Sequence, residues 1–240
     1  MVVIDAKDKQ SRELNDLIRG AGAECTVTGC CGQRFLGAGM SGVSITMEGI
    51  PGNALGAYLN GAQITVHGNA QDAVGDTMNE GRIVVHGSIG DAAGYAMRGG
   101  EIFVQGNAGY RAGIHMKEYG KKIPVMVIGG CAGSFLGEYQ AGGILLVLGL
   151  NAQGKPVVNN FPCTGMHGGR LILRGDVSGL SFPGQVTARP AGVEDMELIA
   201  KYVKTYCDLF GGDCGDILKA PFTVVSPDSS NPYKQMYVAN

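Results

Sequence analysis

The sequence predicts an all-β fold, a right-handed parallel β-helix of about seven coils with short flanking helices. Three observations carry that expectation. Glycine recurs every 19 residues, as Gly37, Gly56, Gly75, Gly94 and Gly113, with a second series in phase at Gly49, Gly68, Gly87 and Gly106. Aliphatic residues repeat at the same spacing, as Ile45, Ile64, Ile83 and Ile102 and as Met47, Val66, Val85 and Val104. Within a unit they stand two apart, as in Gln63-Ile64-Thr65-Val66-His67, the alternation of a half-buried strand. An unbroken period of this length means a solenoid, in which each coil buries its apolar side chains only against the next. Parallel strands stacked at ~4.8 Å would set Ile64 on Ile83 and Val66 on Val85 in continuous inner ladders.

In chain order, 1–23 reads as a capping segment, 24–180 as the β-helix, and 181–240 as a C-terminal helix followed by an extended arm. Ser11 is placed to cap a helix over 11–19, whose Leu14, Leu17 and Ile18 share one face before Gly20 ends it. Such a helix closes the first end of the stack, where apolar surface and strand backbone would otherwise lie open. Residues 24–29 read as an entering strand. Past the regular units, aligning strands on the glycine that ends each, Gly129, Gly149 and Gly175, extends the inner ladders as Val125, Leu145, Leu171 and as Val127, Val147, Leu173. Insertions then fall at 118–122 and around 153–161. Leu59, Met78, Met97 and Met116 occupy equivalent corners and read as core filler.

On that alignment the outward positions of the early strands are polar or mixed, whereas Pro124, Met126, Ile128 and Ile144, Leu146, Leu148 make two later strands apolar on both faces. Such a face needs a cover. One cover is an amphipathic helix over 194–210, acidic at its start and ended by Gly211-Gly212, with Met196, Ile199, Tyr202, Val203, Tyr206 and Phe210 as its stripe. The other is a partner subunit or a second copy of the chain. The expectation is that the helix takes part of the patch and a partner the rest, with Met126, Ile128, Leu146 and Leu148 at that interface. The segments 220–227 and 231–238, broken by proline and serine, read as an arm laid over the body or a neighbour.

A length of 240 residues with 45% apolar content supports a sizeable core. A net charge of −2 and the lack of a Lys/Arg run argue against nucleic acid or an anionic membrane as the main partner. The N-terminus has no basic, then apolar, secretory pattern, and no window has the ~18 apolar residues of a membrane span. Seven irregularly spaced cysteines suit free thiols in a reducing cytoplasm, the expected location.

Chemistry-bearing residues are sparse. His67 and His86 fall at equivalent positions in adjacent coils, one strand apart, but Glu48 and Gln105 flank them and no cysteine joins the row, so solvated side chains are the plainer reading. His115 and His167 each sit beside a methionine at a corner. Cys30-Cys31 and the Cys207, Cys214 pair lack ligand-like spacing, and Cys25 has no histidine near it in sequence to make it a nucleophile. Each glycine run is followed within a few residues by another strand, which excludes a dinucleotide fold. No metal, cofactor-binding or catalytic residue is expected.

The recurring Gly-x-x-x-Gly-x-x-x-x-Gly pattern, seen at 52–61 and 90–99, resembles the GXGXG domain that forms the C-terminal part of the glutamate synthase large subunit. The runs 28–37, 108–119, 137–144 and 165–169 are similar to the stand-alone version, in which that subunit is split into separate chains. The resemblance implies a right-handed β-helix without chemistry of its own, a structural subunit of a glutamate synthase-type complex. FMN, an iron–sulfur cluster and the amidotransferase site would then lie on partner chains. The same domain also occurs as the C subunit of formylmethanofuran dehydrogenase, a molybdenum or tungsten enzyme, and in assemblies for related amide-transfer chemistry, which are the alternative. A free-standing carbohydrate-binding or adhesive solenoid would show a secretion signal and stacked aromatics on an outer face, and the sequence shows neither.

Overall fold

The structure, a computed structural model, describes residues 2–228. Its strands are β1 (Val2–Asp5), β2 (Glu24–Cys31), β3 (Ser44–Ile50), β4 (Asn60–His67), β5 (Glu80–Val85), β6 (Glu101–Val104), β7 (Val125–Ile128), β8 (Ala141–Val147), β9 (Gly168–Arg174), β10 (Val186–Pro190) and β11 (Phe222–Pro227). The helices are α1 (Ser11–Gly20), α2 (Val193–Phe210) and α3 (Cys214–Leu218). Strands β1 to β9 pair in sequence order, all parallel, and β11 then β10 close the sheet antiparallel. This is a parallel β-helix. The seven counted coils are β3 to β9, and β2 and β1 prolong the stack at its start.

The inner ladders follow the period. Ile45, Ile64, Ile83 and Ile102 are in register, as are Met47, Val66, Val85 and Val104, and all are buried. The expected register fails at β7. There Ile102 pairs with Met126 and Val104 with Ile128, so Met126 and Ile128 face inward while Val125 and Val127 face out. The cause is the Gly129-Gly130 pair: Gly130, not Gly129, stacks on Gly106, donating its N–H to the Gly106 carbonyl at 2.8 Å. Alignment on the first glycine of the pair slips the strand by one residue, which exchanges its two faces. From β8 onward Leu145 and Val147, then Leu171 and Leu173, lie inside as expected.

Both ends are capped. Helix α1 buries Leu14 and Ile18 against the first coil. It starts at Ser11 itself, and Gln10 precedes it without a side-chain cap bond, so Ser11 is not the N-cap. Asn15 replaces the missing neighbour: its Oδ1 accepts the Gly37 N–H at 2.9 Å and its Nδ2 donates to the Phe35 carbonyl at 2.9 Å. In the next coil the Leu36 carbonyl fills the part of Asn15 Oδ1, accepting the Gly56 N–H. At the far end β11 covers β9, with Val225 opposite Leu171. The part of the expected arm over 231–238 lies outside the described residues.

The apolar outer face is covered by the chain itself. Phe103, Val125, Val127, Ile144, Leu146, Leu148 and Ile172 form one cluster with Ile199, Tyr202, Val203 and Tyr206 of α2 and Ile217 of α3. Asp195 anchors α2: its Oδ2 accepts the Gly192 N–H at 2.9 Å, and the Arg189 guanidinium sits 2.5 Å from the same oxygen. Arg189, with help from that N–H, holds the Asp195 carboxyl below the usual carboxylate range.

Candidate functional site

The four residues expected at a partner interface do not form one. Met126 and Ile128 are in the interior ladder, and Leu146 and Leu148 are fully buried beneath α2. The apolar outer face is therefore accounted for within the chain, and the exposed candidate surface lies elsewhere, at the corner that precedes each strand.

Each corner carries three left-handed residues at alternate positions: Ala54, Gly56 and Tyr58 in one coil, Arg111, Gly113 and His115 in a later one, Phe135, Gly137 and Tyr139 in the next. The middle position points inward and, on every rung before that of Cys163, is glycine for packing as well as backbone reasons. A Cβ on Gly56 would stand 2.6 Å from Ile83 Cδ1. The flanking positions carry a side chain, and backbone N–H groups tie each rung to its neighbours, as from Arg111 to the Ser134 carbonyl and from Phe135 to the Asn160 carbonyl, both at 2.9 Å. Polar side chains stitch the same corner, since Asp72 Oδ1 accepts the Asp91 N–H and Asp91 Oδ1 the Tyr110 N–H.

Phe35 and Tyr58 stand exposed on the first two rungs, and from the fourth rung on the aromatic residues meet in rows. Tyr110, Phe135 and Phe161 make one row, with ring centroids 5.4 and 5.2 Å apart. Tyr95, His115 and Tyr139 make a second, at 5.9 and 5.2 Å, with His115 and Tyr139 stacked at 12°. Tyr95, Tyr110, Phe135's neighbour Phe161, and Tyr139 remain 36–61% exposed. Between the rows Arg111 Nε lies 2.6 Å from Glu138 Oε2, an ion pair without the alignment of a hydrogen bond, and the Glu138 side chain is only 8% exposed. The Arg111 guanidinium also lies 4.6 Å from the Tyr110 ring centre and 5.5 Å from that of Phe135. Exposed Tyr, Phe and Arg held rigid on backbone rungs are the chemistry of a protein-binding hot spot. Only His115 and Tyr139 stack face to face, and the other contacts are edge-on or tilted, so the rings do not make the flat platform that sugar stacking requires.

The expectation of no outer aromatic row is thus corrected. The rings come from corners and not from strands: His115, Phe135, Tyr139 and Phe161 stand at flanking positions of the glycine series, and Tyr95 and Tyr110 one residue before such positions. Aligning Arg111, Phe135 and Phe161 on the rungs is the signal that finds them.

The remaining candidates do not converge. The His67 and His86 rings stack at 4.7 Å, and Phe210 of α2 meets the His86 ring edge-on. Burial, then the neighbouring His67, lowers the His86 pKa. Among the described residues no group of three or more His, Cys, Asp or Glu is arranged to hold a metal ion. Cys25, Cys30, Cys163 and Cys207 are buried free thiols. Burial pushes Cys30 up to about 11 and Cys163 up to about 12, away from thiolate reactivity. Leu59, Met78, Met97 and Met116 line one interior corner, as expected. The next rung places Gln140 there, whose Nε2 donates to the Gly142 and Gly143 carbonyls at 3.1 Å. His167 Nδ1 is 3.1 Å from the Gly165 carbonyl. No helix among the described residues is long and apolar enough to cross a membrane.

These features define a parallel β-helix that presents an aromatic corner, with no reactive centre assembled among the described residues. The family model described as the GXGXG motif matches residues 3–225, and the chain belongs to that family. It is 40% identical, over 98% of its length and 96% of the other's, to an uncharacterized protein of Methanocaldococcus jannaschii. Its fold matches a chain in the crystal structure of the formyltransferase/hydrolase complex from Methylorubrum extorquens, solved with methylofuran. The TM-score is 0.63 at 20% identity, covering 95% of this chain and 91% of that one.

Proposed function

We propose that this chain is a non-catalytic structural subunit, a scaffold on which the other chains of a multi-chain enzyme assemble. The observation that carries the reading is the aromatic corner. A chain that covers its own apolar sheet face with α2 yet leaves ordered Tyr, Phe and Arg side chains open keeps a surface for a protein partner. The fold match to one chain of a multi-chain complex supports it.

Of the two complexes suggested by resemblance, that neighbour favours the formylmethanofuran dehydrogenase type over the glutamate synthase type, which rests on the corner motifs alone. Any molybdenum, tungsten, flavin or iron–sulfur centre then belongs to partner chains. Affinity capture of the tagged chain from its native source tests this. Co-elution of formyltransferase- or hydrolase-like chains is the expected result, and FMN-containing and cluster-containing chains would transfer the assignment to glutamate synthase. Elution of the chain alone, or tightly bound flavin absorbance in the purified chain, would overturn the scaffold reading.

A further inference from the structure

We infer that the partner meets this chain through a segment that sets carboxylates among apolar side chains, and that the segment lands on the hairpin inserted between β6 and β7 and on the aromatic row beside it. The inference rests on the scaffold reading for the partner's existence and adds the partner's chemistry.

The hairpin breaks the period. Successive coils advance by 19 residues from Ile83 to Ile102 but by 24 from Ile102 to Met126. The extra residues turn back on themselves: Tyr119 and Lys122 exchange backbone N–H to carbonyl bonds of 3.1 and 3.0 Å around Gly120, whose φ is +62°. Both sides of the turn are pinned. Lys122 Nζ lies 2.8 Å from Glu80 Oε2 at the start of β5, and Glu118 Oε1 accepts the N–H of Gly143 in β8 at 3.0 Å. The fixed hairpin nevertheless leaves Tyr119 68% and Ile123 51% exposed. Regular coils close without these residues, so the stack does not require them.

The hairpin follows the rung of His115, the middle ring of the row it forms with Tyr95 and Tyr139. Lys117 stacks on the coil before, its N–H donating to the Met97 carbonyl at 3.0 Å, and one rung earlier Arg98 donates to the Met78 carbonyl at 2.8 Å. These two cations thus occupy the same place on neighbouring rungs, just past the corner that carries the rings. The chain carries −2 overall, yet this face is positive. Among the described residues Lys122 is paired with Glu80 and Arg111 with Glu138, while Arg98, Lys117 and Lys121 have no carboxylate partner. Glu118 is the one acid between 117 and 123.

A neutral or basic partner would bury those cations without compensation, and a second copy docked about a two-fold axis would set cation against cation. Single-stranded nucleic acid supplies negative charge but needs open ring faces, and His115 and Tyr139 spend theirs on each other. Carboxylates interleaved with apolar groups answer both the cations and the uncovered Tyr119 and Ile123.

Two measurements decide the matter. The purified full-length chain is titrated with two labelled synthetic peptides that share their phenylalanine and leucine positions and carry either glutamate or lysine between them, and with a labelled single-stranded RNA. The glutamate peptide should bind saturably, at least about tenfold more tightly than the lysine peptide, and more weakly as salt is added. A full-length chain carrying Lys117→Glu and Lys121→Glu, both at exposed positions, should lose that preference and keep its thermal midpoint, while Lys7→Glu keeps the preference. No binding of the glutamate peptide, equal binding of the two, a preference that survives the charge reversal, or tighter binding of the RNA would overturn the inference. In the complex captured from the native source, a carbodiimide, which joins an amine to a carboxylate in direct contact, should link Lys117 or Lys121 to an aspartate or glutamate of the partner. An intact complex without such a link would overturn the inference and leave the scaffold reading standing. A chain that elutes alone yet prefers the glutamate peptide would uphold the chemistry of the surface and overturn the scaffold instead.

Discussion

Substituting Gly56 by alanine tests the corner geometry directly. Gly56 has φ +63°, and a Cβ there would stand 2.6 Å from Ile83 Cδ1 and 3.3 Å from Ile64 Cδ1, both on fully buried ladder residues. The left-handed backbone costs about 1–2 kcal/mol for a residue with a Cβ. Overpacking the ladder adds about 1–3 kcal/mol, so the variant should lose about 2–5 kcal/mol in urea unfolding. The two contributions separate by rescue. Ile83→Val removes Cδ1 and leaves Cγ1 at an ordinary 3.5 Å from the new methyl. Alone it costs about 0.5–1.5 kcal/mol. In the Gly56→Ala background it should cost nothing or stabilise, a coupling of about 1 kcal/mol or more, with the backbone part left over. A loss under ~1 kcal/mol, or strictly additive variants, would mean that Gly56 does not face the Ile83 side chain and that the rung geometry is wrong.

The outer cluster and the histidine pair give two further expectations. Leu146→Ala under α2 should cost about 2–5 kcal/mol, while Thr46→Ala, on the same outward row but uncovered, should stay within ~1 kcal/mol; guanidinium midpoints compare them. His86 binds its proton less readily folded than unfolded, because burial first and His67 second disfavour the charged ring. Its contribution is therefore fully present above the unfolded value of 6.5 and lost as pH falls through the lower folded value. His86→Phe keeps the ring between His67 and Phe210 without the titration, so the drop in stability between about pH 7.5 and pH 5 should shrink; an unchanged drop assigns it to other groups.

What the sequence disclosed follows the period, and what it hid lies outside the period. Ile45 through Ile102 announce themselves because every coil repeats the same burial problem. At Gly129-Gly130 two glycines compete for one role, and nothing local says which stacks on Gly106; only the neighbouring backbone decides. Strand β1 precedes the first repeat and owes its conformation to β2, a partner more than twenty residues away. Strand β10 is mostly exposed and carries Pro190, so neither alternation nor propensity marks it; it exists because β11 offers an open edge. The helix α3 is five residues held by Asp213, whose carboxylate accepts two backbone N–H groups, too short for any periodic signal.

The candidate site is less legible in the sequence than the fold because it too lies outside the period. Inner positions of a β-helix must repeat, since a ladder is only as good as its worst rung, whereas an outward corner position is free to differ from coil to coil. Ala54, Ala73 and Ala92 hold the flanking rung where nothing needs to be displayed, and Arg111, Phe135 and Phe161 hold it where something does. All six carry a left-handed backbone, so the cost of that conformation is common to the plain and the decorated rungs, and the scaffold does not distinguish them. The aromatic run is consequently no requirement of the coil: alanine satisfies the same backbone. Exposed rings that the stack does not need, braced by Arg111 paired to a nearly buried Glu138, are read as a surface for something outside the coil.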